Sequence, residues 1–189
     1  MGSIPIALCL PWQKPPDHHF KLNIDGSFKP KTVKGGTGGL IRNHSVQWIT
    51  EFACKTKVDS AYQAKLLALL HGLTLAKTKN IKKVLVETDS QVLLNSLYID
   101  DALCSNIRVD CRSLLQQLEG PTLHHPPREA NGVVDALAEY GRKTKDPTMI
   151  VNKLHIFDAS PSFATNILER EANGIASARS VPFCMDNSL

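Results

Sequence analysis

The chain has 189 residues, enough for one domain with a sizeable hydrophobic core and a tail. Its hydrophobic fraction of 42% is ordinary for a globular protein, and no apolar run approaches the length of a membrane-spanning helix. The first ten residues are mildly apolar but lack a basic start, so a secretory signal peptide is not expected. The five cysteines are scattered and include no CxxC pair, which predicts reduced thiols and a cytoplasmic or nuclear location.

Charge is distributed unevenly along the chain. Residues 1–83 hold 13 Lys/Arg and 4 Asp/Glu, a balance of +9, whereas residues 84–189 hold 9 Lys/Arg and 14 Asp/Glu, a balance of −5. Such asymmetry suggests a basic face that meets phosphates. A solvated lysine surface accounts for the same numbers, and from charge alone it is the simpler interpretation.

The first part of the chain predicts an antiparallel meander. Residues 1–19 contain Pro15 and Pro16, which exclude a helix and predict an extended lead-in. Alternation of apolar and polar residues then predicts a strand, and glycine-rich turn chemistry follows over residues 29–36. Three strands joined by short loops are expected. They span residues 20–25, 38–42 and 47–54.

The apolar period then changes to that of a helix. Ser60 and Gln63 have the spacing of a capping box, and residues 61–76 carry a broad apolar stripe that ends before Asn80. The elements predicted after this helix are a strand over 82–89, helices over 90–98 and 106–118, a short strand over 122–125 and a helix over 131–142.

The element order predicts an α/β fold. We expect a five-stranded mixed sheet, three antiparallel strands followed by parallel ones, flanked by helices. This domain is predicted to span residues 20–145. Residues 146–172 are expected to form a C-terminal appendage, and residues 173–189 a disordered tail.

Three aspartates stand where the predicted elements converge. Asp25 ends the first strand, Asp89 ends the fourth, and Asp135 lies in the first turns of the last helix. Singly, they have ordinary explanations as a turn residue, a helix cap and a surface residue. If strands one and four are neighbours, however, the carboxylates meet and imply a bound cation. Hard oxygen ligands suit Mg²⁺ or Mn²⁺.

The three aspartates lie in three sequence blocks: Asn23-Ile-Asp25-Gly-Ser27, Glu87-Thr-Asp89-Ser-Gln91 and Arg128-Glu-Ala-Asn-Gly-Val-Val-Asp135. These blocks resemble the signatures of the ribonuclease H family, and most closely the plant ribonuclease H-like domain found alone or at the end of retroelement reverse transcriptases. The similarity covers roughly residues 12–143, and its spacing favours ribonuclease H over exonuclease or integrase relatives. It implies that four carboxylates hold two divalent metals at the scissile phosphate of the RNA strand in an RNA–DNA hybrid.

The resemblance also implies roles for other residues. His125, or alternatively His124, takes the place of a histidine that aids proton transfer or product release, although an exposed loop histidine is an equal interpretation. Gln91 and Asn131 resemble positions that touch the hybrid, where the 2′-OH distinguishes RNA from DNA, and Asn131 is alternatively a helix cap. The lysines that are candidates for the nucleic-acid-binding face are Lys77, Lys79, Lys82 and Lys83.

Lys65 departs from the family pattern, which has a glutamate at this position of the first helix. Residues 60–86 contain no Asp or Glu that replaces it. If Lys65 swings to solvent, a weakened three-aspartate site remains, whereas an inward ammonium becomes a fixed counter-ion. At about 5 Å it would repel a divalent cation by roughly 6–7 kcal/mol at an effective dielectric near 20. Millimolar metal binding is worth only about 4 kcal/mol.

Two functions therefore remain open. One is a ribonuclease H-type endonuclease that acts on RNA–DNA hybrids and is impaired by Lys65. The other is a non-catalytic module on the same fold that binds an RNA–DNA hybrid or double-stranded RNA. In either case we expect a monomer that does not engage a membrane.

Overall fold

The computed structural model describes residues 11–99, 104–118 and 121–175. Its strands form one mixed sheet in the order β5-β4-β1-β2-β3-β6. The strands are β1 (Phe20–Lys29), β2 (Lys34–Asn43), β3 (Trp48–Lys57), β4 (Val84–Glu87), β5 (Thr122–His124) and β6 (His155–Phe157). The helices are α1 (Ala61–Thr78), α2 (Gln91–Ser96), α3 (Ser105–Gln117), α4 (Gly132–Lys143) and α5 (Ser162–Ala172).

The mixed α/β sheet flanked by helices is confirmed, but the number of strands is wrong. The sheet has six strands because β6 pairs antiparallel with β3 at the edge, from Glu51–Phe157 to Ala53–His155. A strand of three residues is too short to show a period of two, so the sequence assigns it only to an appendage. The expected disordered tail lies outside the described residues from 176 onward.

The glycine-rich segment that predicts a turn is largely strand. The chain reverses earlier, in a 3-10 turn at Pro30–Thr32, and Gly35 and Gly36 belong to β2. A Cβ added at Gly38 would lie 2.5 Å from the Ala138 backbone nitrogen. The absence of side chains at Gly36 and Gly38 therefore lets α4 lie directly on β2, and packing rather than turn geometry explains these two glycines.

The two faces of β1 differ in character. Leu22 and Ile24 are fully buried and pack with the apolar residues of α1 in the main hydrophobic core. Because strand residues alternate, Lys21, Asn23 and Asp25 point to the opposite face, where they are also buried. This second face, which α4 covers in part, carries the polar residues of the candidate site.

The structure predicts that His71 of α1 weakens the fold in acid. Its Nδ1 lies 2.9 Å from Thr37 Oγ1, and burial lowers the pKa of His71 from 6.5 to about 4. A lowered pKa gives stability that is complete above pH 6.5 and is lost as the pH falls through about 4. We expect a loss of up to about 3 kcal/mol across this window. Urea unfolding at several pH values should show it, and His71→Gln should reduce it; an unchanged pH dependence in the variant would contradict the prediction.

Candidate functional site

The end of β4 creates the opening in which the site lies. β1 and β4 are parallel neighbours, as predicted, but their pairing stops at Asn23–Glu87. Asp25 therefore extends beyond β4, while Asp89 follows β4 just before the Ser90 cap of α2. The two aspartates approach each other because Asp25 stands just past the point where β4 ends and Asp89 follows. Asp25 lies in the middle of β1, which continues to Lys29, so the predicted end of the first strand at Asp25 is wrong.

Gly26 brings α1 to the same place. A Cβ on this residue would collide with the backbone between Ala64 and Lys65, so only glycine permits so close an approach of α1 to β1. Ser60 begins the helix by accepting a hydrogen bond from the Gln63 backbone nitrogen, as the capping-box pattern predicts. With its start defined in this way, the first turns of α1 place Lys65 beside Asp25.

Lys65 points inward and bridges two of the predicted metal ligands. Its Nζ donates hydrogen bonds to Asp25 Oδ1 and to Asp89 Oδ1. The Lys65 side chain is only 15% exposed, against 3% for Asp25 and 6% for Asp89. Burial favours the neutral amine, but the charges and hydrogen bonds of Asp25 and Asp89 outweigh it and raise the pKa of Lys65. The lysine is therefore a full cation at neutral pH.

Arg128 supplies a second cation that the sequence did not single out. Its Nε lies 3.0 Å from Asp89 Oδ2, so the two oxygens of Asp89 meet one cation each. The Arg128 side chain is 59% exposed, and its guanidinium therefore faces solvent as well as Asp89. Arg128 belongs to a short 3-10 turn ahead of α4. The family block includes this arginine, but only the folded chain shows that it reaches Asp89.

Asp135 lies close enough to Asp25 to act on its charge, but it does not complete a metal-binding cluster with Asp25 and Asp89. It is exposed on α4, and its neighbour Val134 packs against Gly38, the residue that pairs with Asp25 across β1 and β2. Burial raises the pKa of Asp25 to about 6; Lys65 opposes this shift, and the negative charges of Asp89 and Asp135 add to it. Asp135 is thus within electrostatic reach of Asp25.

The arrangement does not fit a divalent cation. Across the described ranges 11–99, 104–118 and 121–175, no three His, Cys, Asp or Glu side chains form a group that could hold a metal ion. The place between Asp25 and Asp89 is taken by the Lys65 ammonium, and Arg128 engages the remaining oxygen of Asp89. Side-chain cations therefore occupy the positions beside Asp25 and Asp89.

Gln91 and Asn131, which resemble hybrid-contacting positions of the family, lie in different surroundings: one is exposed and the other is buried. Gln91 is exposed at the start of α2, where its Nε2 donates to Asn95 Oδ1 at 2.9 Å. Asn131 is only 3% exposed, and its side-chain amide donates to the Ile24 carbonyl oxygen at 3.1 Å. Its Oδ1 accepts from Asn23 at 3.3 Å, and it makes no capping hydrogen bond. Asn131 therefore joins α4 to β1 from inside the protein, and its contact with a hybrid stays a prediction.

The histidines and the lysine group lie at opposite ends of the sheet. β5 runs parallel to β4, and His124 pairs with Glu87. The exposed His125 therefore follows at the carboxyl ends of these strands, where Asp89 also lies. Lys82 and Lys83 precede β4, about 20 Å from Asp89 at the usual rise of a strand. These lysines do not belong to the carboxylate site. Any nucleic acid that touches both must extend along the sheet.

Behind the aspartates lies a buried polar network that the sequence gives no sign of. Arg42 Nη1 pairs with Glu171 Oε2 at 2.9 Å, and both side chains are 1% exposed. Lys21 and Asn23 both bond to Glu87, at 2.5 and 2.9 Å. Strand patterning suggests that such alternating polar residues face solvent. They are buried instead because α5 and the lead-in with Trp12 cover them; the Trp12 ring lies 3.6 Å from the Arg42 guanidinium.

Comparison with solved structures defines the class of fold. The chain is similar to ribonuclease H1 of the archaeon Halobacterium salinarum, with a TM-score of 0.61 and 22% identity over 65% of this chain and 96% of that one. It is also similar to LC11-RNase H1 from compost, solved in complex with an RNA/DNA hybrid, with a TM-score of 0.59 and 16% identity over 65% and 96% of the two chains. The fold is that of ribonuclease H.

The amino-acid sequence places the chain more closely. It belongs to the Reverse transcriptase-like family, whose pattern matches residues 23–141. A protein of Arabidopsis thaliana named as a candidate ribonuclease H is 29% identical over 174 residues, which is 90% of this chain. The chain spans only 27% of the length of that relative. No helix in the described part of the chain is long and apolar enough to span a membrane.

Proposed function

We propose that this domain binds nucleic acid on the ribonuclease H fold and cleaves it weakly or not at all. The observation that carries the proposal is the Lys65 ammonium, bonded to both Asp25 and Asp89. The fold supports nucleic acid as the partner, and the lysine opposes the chemistry that the aspartates would otherwise support.

Electrostatics explains why cleavage should be impaired. The site holds three negative charges, on Asp25, Asp89 and Asp135. Two positive charges, on Lys65 and Arg128, offset them in part, so the net charge of the site is about −1. Four carboxylates without those cations would total −4 and attract divalent ions strongly. A buried ammonium at about 5 Å from such an ion opposes binding by more than millimolar affinity provides. We therefore derive no hydrolytic step through a metal for this chain.

The proposed partner is an RNA–DNA hybrid or double-stranded RNA. The resemblance of the sequence blocks supports this class, as does the likeness in fold to an RNase H1 solved with an RNA/DNA hybrid. A foamy viral protease-reverse transcriptase solved with double-stranded DNA has the same fold, with a TM-score of 0.54. On this chain, the exposed side chains of Gln91 and His125 lie at the edge of the site.

A binding and cleavage assay on the unaltered chain tests the proposal. We expect a labelled RNA–DNA hybrid to be retained by the protein, with an affinity that falls steeply as salt is raised, because phosphate contacts release counter-ions. The hybrid should remain intact in millimolar Mg²⁺ or Mn²⁺. Cleavage at a rate near that of Lys65→Glu would overturn the proposed impairment, and no binding at low salt would overturn the proposed partner.

A further inference from the structure

We propose that Lys65 and Arg128 together bind a backbone phosphate directly, so that this domain holds nucleic acid without a divalent metal. The inference rests on the proposed function and names the residues that perform it. It follows from the two side-chain cations beside Asp25 and Asp89, each of which keeps hydrogen-bond donors beyond its partner carboxylate.

Lys65 and Arg128 have more N–H donors than their contacts with the aspartates use, and the remaining donors are available to a ligand. An ammonium has three N–H donors, and Lys65 uses two of them on Asp25 and Asp89. A guanidinium has five donors, and Arg128 engages Asp89 through its Nε. Its two terminal nitrogens form the planar fork that suits a phosphate. Asp89 links both cations, through Oδ1 and Oδ2, so the two cations stand beside one carboxylate.

The carboxylates position these cations and moderate their charge. Asp25 and Asp89 hold the Lys65 side chain in place, which removes much of the entropic cost of ordering a lysine on binding. The four groups sum to zero charge, so an incoming phosphate meets little net repulsion from them. The fifth group, Asp135, is exposed on α4 and adds one uncompensated negative charge near the site.

Substitution of Asp135 therefore distinguishes a site built on side-chain cations from a metal-dependent site, because the two predict opposite changes in nucleic-acid affinity. In a metal-dependent site, removal of an acidic ligand weakens metal binding and everything that depends on it. In a site built on side-chain cations, the same removal relieves repulsion of the phosphate. Asp135→Asn should tighten binding about threefold, the effect of one exposed charge at several ångströms.

The test is fluorescence anisotropy of a labelled RNA–DNA hybrid, with the full chain in EDTA and in Mg²⁺. We expect the same affinity in both, and a binding loss of about eightfold at 0.1 M salt for Arg128→Gln, with a salt slope smaller by about one. Lys65→Met should produce a similar loss. Because Lys65→Met removes the cation between two buried carboxylates and leaves Asp25 without one, its thermal unfolding must be checked. The exposed Arg128 provides the variant that preserves the fold.

A matched control separates local contact from overall charge. Lys153 is exposed just before β6, at the sheet edge far from β1, so Lys153→Met removes one positive charge without touching the site. The inference is overturned if the hybrid binds but Arg128→Gln and Lys153→Met have equal effects. It is also overturned if Mg²⁺ tightens binding and Asp135→Asn weakens it. A hybrid that does not bind the unaltered chain at all contradicts instead the proposed function on which the inference rests.

Discussion

Lys65→Glu is expected to turn the domain into a metal-dependent nuclease that cleaves an RNA–DNA hybrid at least about a hundredfold faster than the unaltered chain, a difference of roughly 3 kcal/mol in barrier. The substitution removes the ammonium between Asp25 and Asp89 and adds the carboxylate that the family pattern has at this position. We expect less than the full calculated repulsion to be recovered because Arg128 still pairs with Asp89. The gain should appear in Mn²⁺ or Mg²⁺ and disappear in EDTA.

The same variant should unfold more easily when no metal is present. Two buried carboxylates lose their cation and gain a like charge beside them, and breaking a buried pair typically costs about 3–5 kcal/mol. Millimolar Mn²⁺ should restore part of this loss, whereas the unaltered chain should respond little. Thermal unfolding with and without metal measures both effects.

Lys153→Glu is the control for the charge reversal, because it makes the same change at an exposed position near the opposite edge of the sheet. It should leave cleavage unchanged and alter stability by no more than about 0.5 kcal/mol. Equal metal responses of the unaltered chain and Lys65→Glu would show that Lys65 does not exclude the metal.

Glu171→Gln is expected to destabilise the whole domain by about 3–5 kcal/mol, because it leaves the buried charge of Arg42 without its carboxylate partner. The two side chains pair at 2.9 Å and are 1% exposed each. Burial lowers the pKa of Arg42 and raises that of Glu171, and each charge opposes the shift of the other. Glu171 Oε1 also accepts from the Val133 backbone nitrogen at 3.2 Å, so the variant disturbs the start of α4 as well.

Urea unfolding measures this loss, and Glu169→Gln provides the control, since Glu169 is exposed on the same helix. Removal of the chain from residue 146 onward should be at least as damaging, because it takes away α5, β6 and the partner of Arg42. A truncated protein as stable as the full chain would instead support the domain end that the sequence predicts at residue 145.

The sequence could predict the features that depend on local order along the chain. The change in apolar period after residue 60 and the Ser60 capping signal define α1, and the structure confirms both its start and its helical character. The aspartates at the predicted ends of strands, in the order of the family blocks, identified the ribonuclease H fold. Local patterns sufficed here because each was long or specific enough to exclude alternatives.

Contacts between distant segments could not be predicted in the same way. Gly36 and Gly38 of β2 lie against α4, and the Asn131 side-chain amide bonds to β1; the local sequence indicates neither contact. Arg42 and Glu171 are 129 residues apart, and the local sequence around each does not predict that they form a buried ion pair. The local sequence also does not predict the three-residue strand β6, because β6 forms only by pairing with the edge of β3.

For the candidate site, the sequence by itself determined that a lysine stands at the position of an expected glutamate and that three aspartates stand at the other carboxylate positions of the family blocks. It left the direction of the Lys65 side chain open, because a long flexible chain can reach either solvent or the site. Only the tertiary structure decided between them: Gly26 admits α1 close to β1, Asp25 and Asp89 meet beyond the end of β4, and their combined charge draws the ammonium inward. The same convergence revealed Arg128 as the second cation, since its contact with Asp89 exists only where two strands and a turn come together.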